Sequence, residues 1–317
     1  DLYSQQMLNL FSEDIENIKN DIAASAQKVF ETFLTQIINE IKKINFSKNI
    51  VFSGGCALNS LANKVLFNDS YFKNIYIPYA PGDAGGSIGS SLIYLSRKYN
   101  NFKNLTSPYQ GPSFTKHDIE KALERKNIYN KYNVIFFENN SIMFENIANR
   151  IIKKEIIGWF QGRMEFGARA LGNRSIIATP TEEDIKDIIN LKIKKRENFR
   201  PFAPAILAEQ KGNWFYSAHS NPFMSNVEDI KDSKKKLIPA VTHIDGTGRV
   251  QTVTESSNEK FYNLIKCFYK KTNVPILLNT SFNENEPIVM LPEEAIDCFL
   301  RTKMDGLVLE NYLITRN

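Results

Sequence analysis

With 317 residues, 42% of them hydrophobic and 24% charged, the chain is long enough for about two globular domains with ordinary apolar cores. A net charge of +5, from 40 basic and 35 acidic residues, is too mild for a nucleic-acid coat, so nucleic acid is not an expected partner. No run approaches the roughly 18 apolar residues of a membrane span. Cys56, Cys267 and Cys298 lie far apart without a CxxC pair and read as buried thiols in a reducing, cytoplasmic setting.

Asp1 opens directly into a helical pattern, so a portion of the protein is expected upstream of it. From Ile15 to Ile44 the apolar residues Ile18, Ile22, Ala26, Val29, Phe33, Ile37 and Ile41 recur at helical spacing and predict one long amphipathic helix. Asn49–Phe52 reads as a buried strand running into Ser53-Gly54-Gly55, with a helix over Cys56–Val65. Ile75–Ile77 is a second strand. Pro81-Gly82-Asp83-Ala84-Gly85-Gly86 then reads as a glycine-rich loop before a helix over Ser87–Tyr99. Strands alternating with helices predict an α/β sheet.

Asn100–Ser113 lacks periodicity and carries Pro, Gly and Ser, which places a domain boundary there: residues 1–105 and 106–317. Beyond it, helices are predicted at His117–Lys126, Ile142–Lys153, Thr181–Leu191, Glu259–Thr272 and Pro292–Arg301. Strands are predicted at Glu155–Phe160, Pro204–Ala208, Ile238–Thr242, Val250–Thr254, Val274–Asn279 and Gly306–Leu309.

The chemistry concentrates in the second region. Arg163, Arg169 and Arg174 fall within a dozen residues among glycines and alanines. Lys194, Lys195, Arg196 and Arg200 follow, then Arg249 in a His243–Arg249 glycine loop, then Asn279-Thr280-Ser281 at a strand end. Arginine grips phosphate with two parallel hydrogen bonds, lysine supplies a point charge, and Ser, Thr and backbone amides complete a cradle. Ordinary surface ion pairs with Glu165 and Glu197 are the bland alternative. The Phe, Leu, Pro and Gly neighbours of these cations argue instead for partly desolvated charge. His243 with Asp245 is an acid/base candidate, although a lone His beside a glycine loop is more often structural. In the first region, Gly54-Gly55 after a strand suits close approach of a nucleotide, or simply a tight turn. Asp83 could hold a metal or start a helix. His117, His219 and His243 are isolated, so no metal set is visible around it.

GRMEFGARALGNRSI, KIKKRENFRPFAPAI, PAVTHIDGTGRVQTV and PILLNTSFN with EPIV, in this order, resemble the C-terminal domain of the O-carbamoyltransferase family of nodulation-factor and antibiotic biosynthesis. DIAASAQ, SGGCALNSLAN and PGDAGGSIGS resemble the end of that family's first domain. The resemblance implies an actin-like α/β transfer domain, here in part, followed by a YrdC-like α/β domain. It implies that the second domain makes carbamoyl-adenylate from carbamoyl phosphate and ATP, and that an iron site in the first passes the carbamoyl group to an acceptor hydroxyl. Carried over, Arg169, Lys194, Arg200, Arg249 and Ser281 would bind carbamoyl phosphate and nucleotide phosphates, with Arg163, Asn279 and His243 in support. Gly54, Gly55 and Asn59 would touch nucleotide, and Asp83 would be a metal ligand. Ala168 stands where the family usually has Pro. The family's metal-binding histidines are not in this chain, so it is expected to activate carbamoyl phosphate without completing the transfer. A threonylcarbamoyl-adenylate synthase and a YrdC-like RNA-binding module are the rival readings. The acceptor, a sugar or natural product, is not legible, and a homodimer stays open.

Overall fold

The computed structural model describes residues 15–44, 46–99, 106–217 and 219–316, the side chains of residues 15–18 excepted. Contacts divide the chain into two compact units, Asp1–Val51 with Leu61–Tyr76, and Phe52–Ser60 with Ile77–Asn317.

In the first unit the predicted amphipathic helix forms as α1 (Ile15–Ile44). Among its described side chains Leu34 and Ile38 are buried, while Val29, Phe33 and Ile37 are exposed. Strand β1 (Asn49–Val51) pairs in parallel with β2 (Asn74–Tyr76), Ile50 opposite Ile75. Helix α2 (Ser60–Phe67) connects them. The expected continuous helix from Cys56 is broken: a 3-10 turn covers Gly55–Leu58, and Asn59 separates it from α2. Gly54 precedes this turn at φ +99°, which an L side chain rarely adopts, and donates its N–H to the Pro81 carbonyl at 2.7 Å.

The second unit includes this 3-10 turn and continues with α3 (Asp83–Lys98). Its start corrects the reading of a glycine loop, because Asp83 through Gly86 already form the first helical turn. Helix α4 (Lys116–Arg125) is closed at its start by a reciprocal cap, Thr115 Oγ1 accepting from Asp118 N–H at 3.3 Å while Asp118 accepts from Thr115 N–H at 2.8 Å. There follow β3 (Asn133–Phe136), α5 (Asn140–Ile152), β4 (Ile157–Phe160), β5 (Arg174–Ala178) and α6 (Asp184–Ile188), which runs into a π turn at Ile189–Ile193. The remaining elements are β6 (Ala203–Leu207), β7 (Glu228–Asp229), β8 (Thr247–Gly248), β9 (Gln251–Val253), α7 (Glu259–Thr272), β10 (Ile276–Ser281), α8 (Pro292–Arg301), β11 (Gly306–Leu309) and β12 (Tyr312–Thr315), with short helical turns between some of them.

Eight strands form one mixed sheet in the order β3-β12-β11-β4-β5-β10-β6-β9. Only β4 with β11 and β6 with β9 run parallel. The central strands are buried along their whole length, as in IGWF, APAIL and GLVL, so they read as apolar runs without alternation. The mixed α/β class expected from the alternating pattern is therefore the class found. One core spans the unit, from Ile119 and Met143 through Trp159 and Ile206 to Phe268 and Leu313.

Ile238–Thr242 is not the strand expected. Pro239–Val241 is a 3-10 turn, since Pro239 has no N–H to donate to a ladder and Thr242 Oγ1 caps the Ile238 carbonyl at 2.9 Å. Strands β3, β5, β7, β8 and β12 were not predicted. Of the three cysteines read as buried, Cys298 is buried, but Cys267 is half-buried and Cys56 is exposed on the 3-10 turn; all three are free. Among the described residues no helix is long and apolar enough to cross a membrane.

Candidate functional site

The arginine-rich loop between β4 and β5 is built around one carboxylate. Glu165 is 6% exposed, and its Oε1 accepts the backbone N–H groups of Leu171 at 2.6 Å and Asn173 at 2.8 Å. Burial raises its pKa, against which these amides and Arg174 hold the proton off. Glu165 thus serves the backbone of its own loop. Arg174 is wholly buried: its Nη1 donates to the carbonyls of Gln161 at 2.7 Å and Asn173 at 2.9 Å, and its guanidinium stacks 3.5 Å from the Phe160 ring centroid. Gly172 closes the loop at φ +103°, and a Cβ there would lie 2.3 Å from the Phe261 ring. The loop is therefore rigid and frees Arg169 to reach elsewhere.

Arg169 donates to the Leu58 carbonyl at 3.1 Å and lines a cavity of about 140 Å³. Arg196 and Arg249 line the same cavity, as do Asn279, Thr280 and Ser281 from the end of β10. Ala168, Ala170, Phe202, Ala203 and Met224 supply its apolar surface. Burial pulls the Arg249 guanidinium down to about 9, and the like charges of Arg169 and Arg196 push the same way. Its Nε is buried without a hydrogen-bond partner. Arg169 is lowered by burial as well. Three cations and a row of Asn, Thr and Ser thus converge on a small, partly open space, an arrangement that stabilises an oxyanion better than open water does.

Lys194, 1% exposed, does not line the cavity. Its Nζ donates to the Ser281 carbonyl, to Ser281 Oγ at 3.1 Å, and to the carbonyl and Oδ1 of Asn283 at 2.8 and 2.7 Å. Burial, and then the charge of Arg196, pull its pKa down to about 7. The nearby Cys298 and Glu286 pull in the opposite direction. Lys194 is placed as an anchor for the β10 turn that presents Ser281. Asn279 is likewise fixed, its Nδ2 donating to Gln251 Oε1 at 2.8 Å and to the Ala170 carbonyl at 3.2 Å.

The other residues singled out in the sequence lie apart from the cavity. Arg200 is exposed and pairs with Glu197 at 2.8 Å. Arg163 donates to the carbonyls of Gln110 at 2.8 Å and Gly111 at 3.0 Å, tying down the preceding segment. His243 is partly buried. Thr247 Oγ1 gives its proton to Asp245 Oδ1 at 2.7 Å, so it accepts from His243 Nδ1 at 3.1 Å and fixes the neutral tautomer. Burial holds the ring down to about 4, against the pull of Asp245 and of a backbone hydrogen bond with Phe202. Gly54 and Gly55 are exposed, with open space where a Cβ would stand, and Asn59 follows on the same turn. Asp83 is exposed in the first turn of α3.

Among the described residues no three His, Cys, Asp or Glu side chains come together as metal ligands. An exposed carboxylate alone does not hold iron, so no chemistry is routed through a metal here. Arg196, Thr280 and Met224 were not in the set singled out for the site. Arg196 was legible as part of the KIKKRENFR run, but nothing local distinguishes it from Arg200. Thr280 sits between two residues already chosen. Met224 carries no polar signal.

Residues 148–316 match the family model described as carbamoyltransferase C-terminus, and residues 1–92 match carbamoyltransferase N-terminus. Nodulation protein NolNO of Sinorhizobium fredii is 39% identical over 93% of this chain and 44% of its own length. The 3'-hydroxymethylcephem-O-carbamoyltransferase of Amycolatopsis lactamdurans is 29% identical over 87% of this chain and 50% of its own. The chain spans about half the length of the curated relatives it matches. Among solved structures, Sua5 of P. abyssi complexed with L-threonine overlaps 54% of this chain and 47% of its own at a TM-score of 0.39 and 11% identity.

Proposed function

Because this chain belongs to the carbamoyltransferase family, we propose that its arginine-lined cavity binds carbamoyl phosphate and that the chain activates the carbamoyl group with ATP. The reaction consumes carbamoyl phosphate, ATP and one water, and yields carbamoyl-adenylate, phosphate and pyrophosphate. The adenylate then gives its carbamoyl group to a hydroxyl of a sugar or natural product, releasing AMP and the hydroxyl proton. On this proposal residues 106–317 hold the activating site and residues 1–105 belong to the transfer domain. Iron would act in that transfer domain, with Asp83 as one ligand and the remaining ligands outside this chain.

The observation that carries this reading is the convergence of Arg169, Arg196 and Arg249 on one small cavity, with a buried guanidinium N–H left for a ligand. Negative charge on the bound phosphate offsets the mutual repulsion of the three cations, so affinity and desolvation work together. Arg169 and Arg249 are proposed as direct phosphate ligands, with Ser281 and Asn279 lining the cavity beside them. Lys194 is proposed to set the Ser281 hydroxyl in place. The cavity is far below the roughly 300–1,000 Å³ of a pocket that encloses a drug-sized ligand. ATP would therefore reach it with its phosphates only, and Arg200, Arg163, His243, Gly54, Gly55 and Asn59 are proposed as outer contacts.

The test is pyrophosphate exchange into ATP. Exchange that requires carbamoyl phosphate and falls in Arg169→Ala and Arg249→Ala supports the assignment. Variants matching the parent protein would remove the site, and exchange driven by threonine with bicarbonate instead would favour the threonylcarbamoyl-adenylate synthase reading.

A further inference from the structure

Met224 is an unusual wall for an anion site. Its backbone is left-handed, φ +54°, a region that non-glycine residues seldom occupy, and its side chain is 3% exposed. Such a conformation persists only where the surroundings impose it. Here they do. Asn221, buried beside it, accepts from Ser225 N–H at 3.0 Å and donates to the Asn226 carbonyl at 2.9 Å, closing a tight loop with Met224 inside. The Asn221 N–H is itself held by Thr252 Oγ1 at 3.0 Å. Below the loop, Lys211 and Glu228 form a buried ion pair at 2.7 Å. The thioether packs with Leu171 and Ala203 and lines the cavity beside Arg169 and Arg249. Leu171 is in turn pinned by Glu165.

Within the apolar lining Ala168, Ala170 and Ala203 are small and leave room, and Met224, with Phe202 and Pro201, takes it up. A thioether offers no hydrogen-bond donor and only a weak acceptor. Whatever projects from a phosphate held by the arginines toward this wall must be short and uncharged.

We infer that Met224 is a specificity-determining residue, setting the size of the acyl group that the cavity accepts on a bound acyl phosphate. This rests on the reading of the cavity as the carbamoyl phosphate site. The pinned loop makes the wall rigid, so excess volume is rejected and not accommodated. Adding methylenes against a packed apolar wall is worth roughly 10–200-fold in discrimination.

Calorimetric titration with inorganic phosphate, carbamoyl phosphate, acetyl phosphate and butyryl phosphate tests this. The parent protein is expected to bind carbamoyl and acetyl phosphate within about fivefold of each other, and butyryl phosphate at least about tenfold more weakly. Met224→Ala is expected to shrink that last gap to about threefold while leaving inorganic phosphate within about twofold. A Met224→Ala protein that still rejects butyryl phosphate as the parent does overturns the wall assignment alone. A parent that binds neither inorganic nor carbamoyl phosphate removes the underlying reading and this one with it. Should Met224→Ala not fold, Ala203→Val narrows the same cavity from β6. It is expected to keep inorganic phosphate and lose the acyl phosphates about tenfold, and unchanged acyl phosphate affinity there counts against the inference.

Discussion

Arg249 sits where function and stability pull in opposite directions, and Arg249→Met separates them. The guanidinium is lowered from 12.5 to about 9 by burial and by the nearby Arg169 and Arg196, and its Nε has no hydrogen-bond partner. A fall of that size corresponds to at most about 5 kcal/mol of unfavourable ionisation, and residual solvent contact reduces it to roughly 2–4 kcal/mol. Methionine has a similar length, fills the space and carries no charge. Replacing buried ionic groups by apolar ones of like volume often stabilises by about 1–4 kcal/mol. In a domain of this size each kcal/mol moves Tm by about 2–4 °C, so Arg249→Met is expected to melt several degrees higher than the parent without ligand. Phosphate affinity should move the other way. Losing one charge-assisted contact worth about 1.5–3 kcal/mol weakens binding by roughly 10–150-fold. Scanning calorimetry with and without saturating phosphate reads both effects, because a ligand that binds only the folded state raises Tm. An Arg249→Met protein that melts lower than the parent, or that binds phosphate within twofold of it, would refute the reasoning.

Arg169→Ala and Arg163→Ala form a contrast within one loop: the first is expected to cost about 10-fold or more in phosphate affinity, the second to lower Tm with affinity within about threefold, as titration and melting together would report. Lys194→Met removes the donor to four oxygens of the Ser281–Asn283 turn and should destabilise by about 2–4 kcal/mol in urea unfolding, and Lys194→Arg should not restore the parent because a planar fork does not fit that socket. His243 is held down to about 4 against 6.5 when unfolded. The unfolded chain therefore binds more protons between those values, and this contribution, fully present above pH 6.5, is lost as pH falls toward 4, by up to about 3 kcal/mol. Urea midpoints at pH 7 and pH 5 should diverge less in His243→Gln than in the parent, and equal divergence would exonerate His243. Gly172→Ala drives a Cβ into the Phe261 ring at a positive φ and is expected to cost at least about 3 kcal/mol, measured as a lowered urea midpoint.

The sequence carried much of the architecture because its signals are local. Glu259–Thr272, Pro292–Arg301 and Gly306–Leu309 were read with the bounds found, since amphipathic periodicity, a Pro at a helix start and a short buried run are each legible over a few residues. Strand β3 escaped because its partner β12 lies at the far end of the chain, and Arg174 begins a strand only because β4 and β10 flank it; β12 itself makes a tight hairpin with β11 and was missed although its signal is local, as were the two-residue β7 and β8. The charges were legible by type, and the arginine-rich strings pointed to an anion. What the tertiary structure decided is which charges meet. Arg169 and Arg249, 80 residues apart, share a cavity with Arg196, while Arg200, four residues from Arg196, turns to Glu197 at the surface. Lys194 looked like a ligand cation, and its four oxygen partners place it beneath the site. Met224 was silent in sequence, for an apolar wall has no signature until the backbone folds it against the arginines. Residue type follows from composition and spacing. Convergence depends on register across the sheet and on which carboxylates and carbonyls claim each cation first, and no local stretch of sequence carries that information.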